Sequence, residues 1–114
     1  MASEPRPATT PIHLERSGPP EAPLVLISGE IDVSTAPAVR DVLADVLDAG
    51  ARRVTIDLAG VGFVDSSGLG VLVGALRRIQ EERDGRLVIE HAQEGVRTVF
   101  EITGLGPMFG LAPR

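Results

Sequence analysis

The run Asp65-Ser66-Ser67-Gly68-Leu69-Gly70 joins an extended segment to a strongly apolar helix, and that junction sets the architecture expected for the rest of the chain. Upstream, Val54-Thr55-Ile56-Asp57-Leu58 alternates apolar and polar residues with the period of a strand. Gly60 and Gly62 then read as a loop. Downstream, Leu69, Leu72, Val73, Leu76 and Ile79 recur at the three- and four-residue spacing of one helix face. A helix over residues 66–82 is therefore expected, with Ser66 or Ser67 as its N-cap. Strand, turn and helix together present a hydroxyl where a helix begins.

Working outward, Leu24-Val25-Leu26-Ile27 is a short apolar run ended by Gly29. Ile12-His13-Leu14-Glu15, before the turn at Ser17-Gly18-Pro19-Pro20, is its expected hairpin partner. Ser34 or Thr35 can cap a helix with Pro37 in its first turn. Val39, Val42, Leu43, Val46 and Leu47 form the inner stripe of that helix, which ends at Gly50, while Arg40, Asp41, Asp45 and Asp48 lie outside. Beyond the turn at Asp84-Gly85 comes a strand over residues 86–90. A helix over 93–103 follows, with Val96, Val99 and Phe100 inward and Gly104 as its cap. Met108-Phe109-Gly110-Leu111 is read as a further edge strand. Alternating strands and helices imply an α/β fold: a mixed, mostly parallel central sheet with an antiparallel strand near its start and helices packed on one side.

A chain of 114 residues with 43% hydrophobic content suits one domain, assigned to residues 11–114. Residues 1–10, with Pro5 and Pro7, read as a disordered lead-in or expression remnant. Cysteine is absent, which removes disulfides, thiolate metal sites and cysteine nucleophiles. A net charge of −5 with no Trp or Tyr argues against a nucleic-acid partner, which would need clustered cations and stacking surfaces. No apolar run approaches the ~20 residues that cross a bilayer, so a cytoplasmic protein without membrane association is expected. Gly68-Leu69-Gly70 with Gly74 has the wrong spacing for a dinucleotide loop, and Val64 and Asp65 stand where a hydrolase elbow needs glycine. His13 and His91 show no metal-site spacing, and there is no phosphate-cradling Gly-Lys-Ser run.

Together with Gly29-Glu30-Ile31-Asp32 and Thr103-Gly104-Leu105, the serine turn resembles the anti-sigma factor antagonists of the STAS class, over roughly residues 24–105. The resemblance implies a non-enzymatic regulator of transcription that switches partners in a stress response. In that family the first serine of the pair is phosphorylated by an anti-sigma factor that is itself a kinase. Here that residue is Ser66, with Ser67 as the cap or a secondary site. The unphosphorylated protein would bind the kinase and free a sigma factor; the phosphorylated one would let go until a serine phosphatase resets it. ATP would belong to the kinase, and no cofactor is expected.

Asp32 matches an acidic family position near the phosphoacceptor, its other role being a loop residue that caps the following helix, and Thr35 matches a neighbouring family position, its other role being the cap itself. Asp65 either orients the hydroxyl or forms the turn. Gly68, Val71 and Ala75 make the second face of the helix small or apolar, so that face is either buried or docks a partner. Gly70 and Gly74 allow close approach of a partner helix or of the sheet. Two other roles fit the same fold: a STAS module in a larger sensor assembly without switching, or a small-ligand binder with residues 61–65 walling the pocket.

Overall fold

The computed structural model describes residues 12–111, so the expected lead-in over residues 1–10 lies outside the described residues. Four strands form one sheet in the order β1 (His13–Ser17), β2 (Leu24–Ile31), β3 (Arg53–Val64), β4 (Arg86–Glu90). The first pair is an antiparallel hairpin; β2–β3 and β3–β4 are parallel. Three helices accompany them: α1 (Ala36–Asp48), α2 (Ser66–Arg83) and α3 (Glu94–Thr103). The mixed, mostly parallel sheet is the one the alternation of periods implies.

Each parallel pair needs a crossover, and the right-handed sense of such crossovers sends α1 and α2 to the same side. There they meet the strand positions that alternate inward. Val25, Ile56 and Ile89 stand in register across β2, β3 and β4 and are buried. Val39, Leu43 and Val46 of α1 and Leu72, Leu76 and Ile79 of α2 belong to the same buried core. Each such side chain contributes about 1.5–3 kcal/mol on leaving water.

The one-sided packing expected from sequence describes these two crossover helices, whereas α3 closes over the opposite face. Asp57 and Val88 point to that face because they alternate with the buried Ile56 and Ile89. The chain leaving β4 returns across it: His91 Nδ1 lies 2.8 Å from Asp57 Oδ2, and Gln93 Nε2 donates to the Ala59 carbonyl at 2.7 Å. His91 holds a left-handed backbone, φ 61°, to make this reversal. His91 thus ties the end of β4 to the neighbouring strand β3. Phe100 of α3 is fully buried and meets Phe109 edge-on at 5.4 Å.

Two expected boundaries differ. β3 does not end before Gly60 but runs to Val64, because Gly60 is a place of close approach within the sheet: a Cβ there would lie 2.7 Å from that of Ser28 on β2. Likewise β2 continues through Gly29, and the β2–β3 register shifts around Ser28 and Gly29 as at a bulge. The expected edge strand at 108–111 is instead a 3₁₀ turn, Gly106–Phe109. Pro107 lacks the amide a strand ladder needs, and the turn lets Phe109 point inward to Phe100. No described helix is long and apolar enough to cross a membrane.

Candidate functional site

At the end of β3 the backbone of Asp65 stays extended, and its carboxylate turns back over the first turn of α2. Asp65 Oδ1 accepts from the amides of Ser67 at 2.8 Å and Gly68 at 3.0 Å. The N-cap is therefore Asp65, not a serine. A carboxylate can take both amides and carries the charge that the positive end of the helix dipole favours. Ser66 and Ser67 become the first two helical residues, and neither hydroxyl is engaged by another described residue. Ser66 is exposed and Ser67 half-buried.

Gly68 is buried, and its absent side chain matters. A Cβ would stand 2.7 Å from Ile31 Cγ2, 2.9 Å from the Ile31 carbonyl and 3.0 Å from Val64 Cγ1. The Asp65 amide also donates to the Ile31 carbonyl at 3.1 Å. These contacts seat the start of α2 beside the end of β2 and the turn that follows it.

In that turn Asp32 Oδ1 accepts from the Ser34 hydroxyl at 2.7 Å and from the Ser34 and Thr35 amides at 2.9 and 3.1 Å. The Ser34 hydroxyl above all, with these amides, holds the Asp32 carboxyl below the usual carboxylate range. Thr35 spends its hydroxyl locally, donating to the Glu30 carbonyl at 2.6 Å and accepting from the Asp32 amide. Thr35 is the residue before α1 but makes no side-chain cap. The Asp32 carboxylate takes amide donors just ahead of the helix in its stead.

Between α1 and α2 runs an open groove of about 770 Å³. Leu43 and Leu47 of α1 and Val71 and Ala75 of α2 floor it. Ser66 and Ser67 stand on its rim at one end and Arg78 at the other. Gly70 and Gly74 do not meet the sheet but face this open space, with nothing within 4 Å of a Cβ at either. The second face of α2 is thus divided. Gly68 is sealed against β2 and β3, while Val71 and Ala75 reach the groove floor. Residues 61–64, expected to wall a ligand pocket, belong to β3, and the groove is lined by the helices instead.

The contribution of α1 was not read from sequence as part of the site. Ala36, Pro37, Arg40 and Ala44 line the groove, and their three- and four-residue spacing along one face was the available signal. Val33, 73% exposed, extends the rim beside Ser66. No group of three His, Asp or Glu among the described residues is arranged to hold a metal ion.

A mixed sheet with two crossover helices on one face, and a groove between them with a serine on its rim, is the architecture expected of a STAS domain. The family profile described as Mlab, STAS domain matches residues 14–111. The anti-sigma-B factor antagonist of Staphylococcus epidermidis is 38% identical over 81 residues, 71% of this chain and 74% of that protein. Its counterpart in Staphylococcus aureus is 37% identical over the same length. Among solved structures, an anti-sigma factor antagonist from Mycobacterium paratuberculosis superposes with a TM-score of 0.77 at 29% identity, covering 94% of this chain and 90% of that one. Unphosphorylated SpoIIAA gives 0.75 at 25% identity, covering 91% and 90%, and the phosphorylated Bacillus form gives 0.66 at 25%, covering 91% and 93%. The chain belongs to the STAS domain family of anti-sigma factor antagonists.

Proposed function

We propose that this protein works by partner switching: unphosphorylated, it binds an anti-sigma factor with serine kinase activity and so frees a sigma factor, and phosphorylation of Ser66 releases it. The observation that carries this reading is the free, exposed Ser66 hydroxyl on the rim of an apolar groove, left uncapped because Asp65 holds the helix amides. In the transfer, Ser66 Oγ bonds to the γ-phosphorus of the kinase's ATP as the bond to the ADP oxygen breaks, and the hydroxyl proton passes to a base or water. Serine phosphatase action restores the hydroxyl. That SpoIIAA has been solved in unphosphorylated and phosphorylated forms supports the reading by kinship.

The physical chemistry separates fold from interface. Added charge of about −1.5 to −2 at a helix N-terminus meets a favourable dipole, so the domain survives it. At a protein interface the same charge can cost about 4 kcal/mol, a thousandfold in affinity. The apolar groove is the expected docking surface, with Val71, Ala75 and Ser67 in contact and the turn holding Asp32 and Thr35 alongside.

The test mixes the protein with candidate anti-sigma kinases and ATP, locates any phosphate by mass spectrometry, and measures binding calorimetrically. Ser66→Ala should abolish labelling and keep binding, while Ser66→Asp should weaken binding. Efficient labelling of the Ala variant would count against Ser66.

A further inference from the structure

We infer that Arg40 is the residue that receives a phosphate on Ser66, its guanidinium drawn over the upper end of the α1–α2 groove. This rests on Ser66 being the phosphoacceptor. Because β2, β3 and β4 are parallel and each helix links the end of one to the start of the next, α1 and α2 run parallel to each other. The Arg78–Asp48 ion pair ties the two helices together at the far end of the groove and relates position 78 to position 48 to within the reach of the arginine side chain. By that offset Arg40 stands about level with Gly70, one turn below Ser66, or roughly 6 Å along the axis. Side chains on a helix lean toward its N-terminus, and that is the direction of Ser66 from Arg40. Gly70 leaves the space between them open.

Charge inventory singles out the same residue. Two cations line the groove, Arg40 and Arg78. Arg78 is already bonded to Asp48 and Glu82. Arg40 is exposed and makes no ion pair with any described residue. The other charges at the upper end, Glu30 and Asp32 before α1 and Asp65 before α2, are carboxylates that repel a phosphate. With the Ser67 and Gly68 amides held by Asp65, a phosphoserine there has the dipole of α2 and one exposed guanidinium to balance it, and an arginine fork suits a phosphate well. The pair would cover the groove where Ser66, Pro37 and Gly70 line it, so the modification would occlude the docking surface as well as charge it.

The experiment incorporates phosphoserine at position 66 during synthesis, with no kinase present, and follows the phosphate by ³¹P NMR as pH is varied. Arg40→Gln should raise the midpoint of the second ionisation, ordinarily about 6, by roughly 0.3–0.7 unit. Arg40→Lys should restore part of the shift, and Arg78→Gln should leave the midpoint where it is. Unphosphorylated Arg40→Gln should melt with the wild type, showing that the fold is intact. Coincident midpoints for wild type and Arg40→Gln, or an equal shift from Arg78→Gln, would overturn the assignment. Failure of every kinase to label Ser66 would sink the proposed switching yet leave this measurement standing, since the phosphate is placed without one.

Discussion

Three glycines within two turns of one helix should respond to alanine with opposite signs. At Gly68 the new methyl would meet Ile31 Cγ2 at 2.7 Å, the Ile31 carbonyl at 2.9 Å and Val64 Cγ1 at 3.0 Å. Two of these belong to a buried residue at the end of β2, and one is backbone that cannot turn aside. Overpacking of this kind costs about 1–3 kcal/mol, against a helix-propensity gain of about 0.5–1 kcal/mol. Gly68→Ala should therefore lose about 1–2 kcal/mol, which lowers the melting temperature of a domain this size by roughly 5–10 °C. At Gly70 and Gly74 nothing lies within 4 Å, so only the propensity term operates. Each alanine there should add about 0.5–1 kcal/mol and raise melting by roughly 2–6 °C. Thermal melts by circular dichroism, with urea midpoints at constant slope, measure all three. The same Gly70→Ala and Gly74→Ala proteins should bind a groove partner less well despite being more stable, because the methyls narrow the space between α1 and α2. A Gly68→Ala protein as stable as the wild type, or destabilisation at Gly70 and Gly74, would refute the contact geometry on which the site is built.

Two further outcomes are expected. Asp65→Ala removes the acceptor of two helix amides and should cost about 1 kcal/mol by urea denaturation, while Asp65→Ser, which can still cap, should recover most of it. The His91–Asp57 pair should make stability depend on pH. The His91 pKa is raised, mainly by its hydrogen bond to Asp57, so its contribution is full below the ordinary histidine value of 6.5 and fades as pH rises through the shifted one. The Asp57 carboxyl is held low, first by the Ala59 amide and then by His91, so its contribution is present above the ordinary 3.8 and fades as pH falls through the lowered value. The melting difference between wild type and His91→Gln should accordingly be largest between these two pH values and shrink above neutrality. A difference that grew with alkaline pH would contradict the pair.

Periodicity and turn chemistry act over three or four residues, and what they encode could be read from sequence: the opening hairpin, the three helices to within a few residues, β4, and a serine where α2 begins. The resemblance to STAS antagonists rests on local runs of the same kind: the serine turn, Gly29-Glu30-Ile31-Asp32 and Thr103-Gly104-Leu105. Which acceptor caps α2 was also a local contest, and there the reading failed, because Asp65 and the two serines all qualify by type and only the extended backbone at Asp65 selects it. Glycine misled for a related reason. Gly60 looked like a turn but marks the approach of β2, from residues more than thirty positions away. Sequence by itself determined the hairpin, the three helices and β4, and where a hydroxyl sits among them, but not the 3₁₀ turn that closes the chain. Tertiary structure alone decided that Gly68 is sealed while Gly70 stands open, that Arg78 is paired while Arg40 has no ion pair among the described residues, and that α3 crosses to the far face. Each of those depends on register between segments distant in the chain, which the sheet imposes and no local pattern records.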